Sequence, residues 1–257
     1  MRYPASFIEQ ALTVERKMAF IAGPRQVGKT TLAKSLVKPD TSGAYFNWDL
    51  ESHRKRLQKK PDHFWDARED GAPARVILDE IHKYPRWKGF LKGLFDTKGS
   101  ELELIVTGSG RLDVYQKGGD SLLGRYALSR LHPFTVGELV ANGRQTISTV
   151  KEFDEQIVEP HRKAGASGAL DQIMELTGFP EPLFSGSADR LRRWRRTRRD
   201  LVLKEDLGDL TRVRELGVTD NLVSLLHSRI GSPLSVNGLR EDLGVAFDTV
   251  KSWLTIL

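Results

Sequence analysis

Gly23-Pro24-Arg25-Gln26-Val27-Gly28-Lys29-Thr30 spells the phosphate-binding pattern GxxxxGK[ST], and its flanks narrow what can surround it. Met18-Ala19-Phe20-Ile21-Ala22 is short, apolar and closed by glycine, as a buried strand is, and the stretch after the pattern places Leu32, Leu36 and Val37 on one helical face. The result is strand, loop, helix. Gly23 and Gly28 allow backbone conformations that a side chain would forbid, so successive amide N–H groups can curl around a β-phosphate at the positive end of the helix. Lys29 is expected to reach the β- and γ-phosphates and the Thr30 hydroxyl to ligate Mg²⁺, with Pro24, Arg25, Gln26, Val27 and Thr31 completing the cradle. A glycine turn that merely caps a helix leaves Lys29-Thr30 at this spacing unexplained.

Arg75-Val76-Ile77-Leu78-Asp79-Glu80 is a second buried-strand signature, β-branched and apolar, that ends on two carboxylates. It reads as a Walker B strand. Asp79 is expected to hold Mg²⁺ through water, and Glu80 to face the γ-phosphate and accept a proton from an attacking water. A phosphotransferase does not need the second carboxylate, whereas an ATP hydrolase does.

The chain has 257 residues, enough for more than one domain, and no cysteine, which excludes disulfides and thiolate zinc sites. Its six histidines show no HExxH or similar ligand spacing, so the expected metal is Mg²⁺ carried by nucleotide. No signal-peptide pattern and no membrane-length apolar run occurs, which reads as a cytoplasmic protein without a membrane partner.

A formal charge of +6 hints at an anionic partner, and its placement is more telling. Between Arg190 and Arg199 seven of ten residues are arginine, while Leu191, Trp194, Leu201 and Val202 share one side of a helical wheel. This predicts an amphipathic helix docked by a thin stripe, with Arg198 nearest that stripe. Two readings of the remaining guanidinium groups stay open: contact with nucleic-acid phosphates, with Arg192, Arg195 and Arg199 as candidates, or a solvated face paired with acids further along.

Ala44 to Trp48, Glu103 to Gly110 and Tyr126 to Phe134 complete five expected strands that alternate with helical stretches. They imply an α/β fold, a mainly parallel, doubly wound sheet with its ligand at the strands' carboxyl ends. Residues 1–134 are expected to be the P-loop core, 135–216 a helical lid or bundle and 217–257 a partial winged helix. Within the last part helices are expected over 221–230, 235–243 and 246–257, with the cadence of a helix-turn-helix, although a plain helical bundle fits too. Thr249 and Lys251 would lie on its recognition helix.

Together these phrases resemble the bacterial and archaeal AAA-type ATPases in which a P-loop domain precedes a winged helix and an uncharacterised C-terminal domain. The matching segments are 23–32, Leu78-Asp79-Glu80-Ile81-His82-Lys83-Tyr84-Pro85-Arg86-Trp87, Val106-Thr107-Gly108-Ser109, Leu123-Gly124-Arg125, Leu131-His132-Pro133-Phe134 and Gly178-Phe179-Pro180-Glu181-Pro182, in that order. The resemblance implies that Ser109 or Thr107 acts as a sensor positioning the attacking water, and that Arg125 is the arginine-finger candidate, with self-association if it acts across subunits. The chain stops at Leu257, inside the expected recognition helix, so a further C-terminal part that sets the target is expected beyond it. An ATP-hydrolysing motor or switch acting on DNA is the leading expectation. A P-loop kinase and a nucleotide-dependent interaction module that scarcely turns over are the alternatives, while a GTPase is disfavoured by the lack of NKxD.

Overall fold

A computed structural model of the chain describes residues 2–37, 45–65, 71, 73–108, 122–140, 165–202 and 216–256. Contacts divide it into two compact units, Met1–Gly186 and Ser187–Leu257.

The first unit is built on five parallel strands, β1 (Met18–Ala22), β2 (Tyr45–Asn47), β3 (Ala74–Asp79), β4 (Leu102–Thr107) and β5 (Tyr126–Arg130), in the order β2-β3-β4-β1-β5. Parallel neighbours require crossovers, and helices supply them: α1 (Ala5–Thr13) leads into β1, and α2 (Lys29–Ser35), α3 (Glu51–Lys59) and α4 (Trp87–Lys98) follow β1, β2 and β3. Both faces are covered, which is why the strands read as unbroken apolar runs. On one face Phe20, Val76, Leu78, Leu104 and Val106 pack with Leu57 of α3 and Leu91 and Leu94 of α4. On the other, Ala19, Ile21, Ile77 and Ile105 pack with Ile8 and Leu12 of α1 and Leu32 of α2. The assignment alternates residue by residue, as the period of two demands. The doubly wound α/β sheet read from the sequence is therefore the fold of this unit.

Three of the quoted segments prove to be mechanically linked. The Leu131 amide donates to the Ala22 carbonyl at 2.8 Å, prolonging the β5 pairing to the start of the P-loop. There Gly23 has φ 148°, and a Cβ on it would overlap the Leu131 carbonyl oxygen. Three residues on, the Phe134 amide donates to the Gly178 carbonyl at 2.7 Å, and a Cβ on Gly178 would overlap the Phe134 carbonyl oxygen. Pro180 opens α7 (Pro180–Ser185), which follows α6 (Ala166–Leu176), and its Cγ would lie 3.8 Å from a Cβ on Gly28. Glycine at 23 and 178 is thus demanded by close backbone approach.

Arg2 closes the same region. It ion-pairs with Glu138 of α5 (Val136–Val140) at 2.9 Å, donates to the carbonyls of Val27 and His132, and stacks 3.8 Å from the centre of the Phe134 ring.

The second unit comprises α8 (Ala188–Leu201), α9 (Leu216–Ser228), α10 (Val236–Leu243) and α11 (Phe247–Ile256). Ser187 and Ser235 cap α8 and α10 by accepting the amides of Arg190 and Gly238, and Gly244 ends α10 with φ 66°. Leu222, Leu239, Val250 and Trp253 form a core shared by the last three helices. α9 starts five residues before the expected Asn221, because Val218 also packs against this core.

Close approach makes a paired prediction. Gly178→Ala should lower the urea or thermal unfolding midpoint, costing about 1–3 kcal/mol through overpacking against backbone. Gly89→Ala or Gly93→Ala on α4, where a Cβ meets nothing within 4 Å, should be neutral or stabilising by up to about 1 kcal/mol.

Candidate functional site

The parallel sheet brings the carboxyl ends of β1, β2, β3 and β4 to one edge, and register pairs Asn47 with Asp79 and Asp79 with Thr107. The P-loop leaves β1 at that edge. Its backbone takes left-handed conformations at Gly23, Gln26 (φ 61°) and Gly28 (φ 96°), and α2 begins at Lys29. Pro24, Arg25, Gly28 and Thr30 are half-buried, Val27 is buried, and Gln26 and Thr31 are exposed.

Lys29 lies back over the loop and donates through Nζ to the carbonyls of Gly23 at 3.1 Å and Pro24 at 2.9 Å. An ammonium stripped of water needs such acceptors, and a phosphate oxygen is a stronger one at the same place.

Asp79 is 5 % exposed and receives three hydroxyls from three different elements. Thr30 Oγ1 donates to Oδ2 at 2.9 Å, Tyr45 Oη donates to Oδ2 at 2.8 Å, and Thr107 Oγ1 donates to Oδ1. Asn47 Nδ2 in turn donates to Tyr45 Oη at 3.3 Å. Burial, with the hydrogen bond to Asp79 next in weight, pushes the Tyr45 phenol up to about 12, so it stays a donor. Thr30 and Asp79 together present hard oxygen donors at the end of the P-loop, the chemistry that suits Mg²⁺ beside a nucleotide phosphate.

Glu80 follows with φ 57°, its amide donating to the Thr107 carbonyl at 3.0 Å. Its Oε2 is buried and accepts no hydrogen bond, lying 3.5 Å from His82 Nε2 and 4.0 Å from Lys83 Nζ. Burial raises the Glu80 carboxyl above its ordinary range, against the opposing pull of Lys83. Lys83 is itself held by Asp49 at 2.7 Å. A half-buried carboxylate with an open lone pair beside a phosphate cradle is equipped to accept a proton.

The other nominated residues fall as follows. Thr107 is fully buried and spends its hydroxyl on Asp79, so here it orients that carboxylate. Ser109 lies outside the described residues. Arg125 does not join the site of its own subunit: it precedes β5, its carbonyl accepts the amide of Met18, and it sits at the amino edge of the sheet, a strand length of about 16 Å from the P-loop. There it makes a bidentate pair with Asp96 of α4, at 2.7 and 3.1 Å.

In the second unit Leu191 and Trp194 of α8 are buried, and Arg198 is the half-buried arginine, its guanidinium 5.3 Å from the centre of the Trp194 ring. Six arginines are exposed. Arg192 pairs with Asp189 and Arg199 with Asp220, whereas Arg195 makes no ion pair among the described residues. Lys251 is exposed and Thr249 half-buried on α11.

Sequence reasoning did not single out Tyr45, Lys83, Asp49 or Arg2. Tyr45 opens β2 and pairs in register with Ile77, two residues before Asp79 on the same face of β3, and the strand order that brings its hydroxyl to Asp79 is not written in its local sequence.

Residues 15–140 match the family model described as an AAA domain, and residues 167–257 match a domain of unknown function. No curated protein matches the chain. Among solved structures, a point variant of RuvB from Thermotoga maritima aligns at 15 % identity and a TM-score of 0.44, covering 96 % of this chain and 82 % of that one. Site geometry and family model coincide on the same stretch: residues 15–140 of this chain are a P-loop domain of the AAA type.

Proposed function

We propose that this chain binds and hydrolyses Mg-ATP and uses the cycle as a switch or motor on DNA. The observation that carries the hydrolytic part is the placement of Asp79 and Glu80 against Thr30 and the P-loop. Lys29 exchanges its two loop carbonyls for phosphate oxygens, and the P-loop amides orient the triphosphate. Thr30 and Asp79 are the residues that would hold Mg²⁺, which when bound neutralises charge developing on the phosphates. Glu80 takes the proton of the attacking water at Oε2, and Ser109 is the sensor candidate left to position that water, since Thr107 is committed to Asp79. Because Arg125 lies at the far edge of its own sheet, a catalytic role for it needs the nucleotide of a neighbouring copy, which is the support for self-association.

The DNA part rests on α8 and on the α10–α11 pair. The arginine face is continuous apart from the buried stripe, and exposed pairs such as Arg192 with Asp189 are weak enough for a phosphate to replace the acid. Helices α10 and α11 follow one another through the Gly244 turn, the spacing that supports a helix-turn-helix reading, and Lys251 is exposed on α11.

Lys29→Ala should abolish tight ATP binding. Glu80→Gln should keep binding but slow steady-state phosphate release by a factor of about 10² to 10⁴, the usual worth of a general base. Equal turnover by wild type and Glu80→Gln would instead favour a kinase or a module that binds without hydrolysing.

Glu80 also carries a pH signature in nucleotide-free protein. A carboxyl whose folded pKa is raised contributes stability at pH values below its ordinary 4.5 and loses it as pH rises through the folded value. Glu80→Gln should therefore be more stable than wild type at neutral pH in EDTA, with the two unfolding curves converging toward pH 4. A constant difference across that range would assign the effect to packing.

For the anionic partner, duplex binding should weaken steeply with salt. Arg193, Arg195 and Arg196 changed together to Gln should flatten the log–log slope by up to about three. The pair Arg192→Gln and Arg199→Gln, already engaged with acids, should flatten it less. Absence of any salt-dependent binding at low ionic strength would remove nucleic acid as the partner.

A further inference from the structure

We infer that Tyr45 is a positioning residue for the metal-holding carboxylate, setting how tightly Mg²⁺ joins the bound nucleotide; this rests on the nucleotide-binding reading above. Tyr45 opens β2, the edge strand, and its ring is fixed from two sides: Lys34 Nζ of α2 lies 4.0 Å from its centre, and the ring packs against the cluster of Ile21, Leu32 and Ile77. The phenol is thereby aimed along the strand at Asp79 Oδ2, 2.8 Å away.

A carboxylate oxygen has two acceptor directions, and the carboxyl torsion of an aspartate is broad. Thr30 and Tyr45 fill both directions on Oδ2, while Thr107 holds Oδ1. Thr30 is the group that would ligate the metal, so its oxygen has a second duty. Thr107 acts on the opposite oxygen. Tyr45 is the donor that fixes Oδ2 without itself being a ligand, and Asn47 Nδ2 at 3.3 Å supplies the proton its oxygen accepts. With Asp79 at 5 % exposure, water has little access to replace the missing donor. Removing such a partner of a metal-holding carboxylate typically weakens the metal 10- to 100-fold.

Tyr45→Phe keeps the ring, its packing and the Lys34 contact and deletes one hydroxyl. ADP affinity would be measured calorimetrically in EDTA and across a Mg²⁺ titration, using the full chain. The expected result is ADP affinity in EDTA within about twofold of wild type and a Mg²⁺ half-saturation raised about tenfold or more. Lys34→Met, which leaves the hydroxyl in place, should not move the Mg²⁺ half-saturation. An unchanged Mg²⁺ dependence in Tyr45→Phe, with nucleotide binding intact, overturns this inference alone. A Tyr45→Phe protein that loses ADP binding in EDTA as well overturns it in favour of a general structural role. Failure of the wild type to bind ADP under any of these conditions overturns the nucleotide reading, and this inference with it.

Discussion

A buried carboxylate held by three hydroxyls is the constraint around which the first unit is arranged. Asp79 is nearly inaccessible, and a carboxylate in that position is tolerable only if its oxygens are hydrogen-bonded. The three hydroxyls come from α2, β2 and β4, so the carboxylate can be satisfied only when the P-loop helix and both neighbours of β3 are in register. A slip of one residue in β2 or β4 would turn Tyr45 or Thr107 to the other face and orphan one oxygen. Sheet register and site geometry are consequently the same fact, and nucleotide chemistry is built on a group the fold must already pay to bury.

A second constraint explains why particular phrases occur together in this chain. The Gly23 backbone lies against Leu131, Phe134 exchanges a hydrogen bond with Gly178, and Pro180 comes up beside Gly28. Segments more than 150 residues apart in the chain are thereby stacked on one side of the P-loop. Arg2 adds a fourth strand of connection, touching Val27, His132, Phe134 and Glu138 at once. At Gly23 and Gly178 the contact is with backbone, so side-chain bulk at those two glycines cannot be absorbed by rotamer changes. The Gly178-Phe179-Pro180-Glu181-Pro182 segment is thus docked closely on the β5 connection.

Not all of this was legible in the residues. The five strands were readable because burial on two faces leaves each as an apolar run, and the P-loop because its glycines have no substitute. The α8 stripe was readable too, down to Arg198 lying beside Trp194, since helical spacing alone decides it. Tyr45 was not, because an aromatic in an edge strand is ordinarily packing, and only the strand order reveals that it stands next to Asp79. The place of Arg125 was not legible for a similar reason: nearness to a strand says nothing about which end of the sheet a residue occupies, and a parallel β1–β5 pair puts it at the amino edge. Ser109 cannot be weighed against these, lying outside the described residues.

Local rules are broken where chemistry is expected. Among the described residues four non-glycine positions have positive φ, and two of them, Gln26 and Glu80, border the nucleotide cradle. A third, Thr177, precedes the Gly178 contact. Such backbone costs about 1–3 kcal/mol at each position and persists only where surroundings enforce it. For Glu80 they do: its amide is tied to the Thr107 carbonyl, and Thr107 is tied to Asp79. The left-handed turn is what carries the chain from a buried Asp79 to a Glu80 whose Oε2 is buried yet accepts no hydrogen bond. An unstrained extended residue there would continue β3, and the second carboxylate would alternate to the opposite face. Strain, desolvation and an open lone pair thus converge on one side chain, each unfavourable to folding and each enforced by the contacts that hold Asp79.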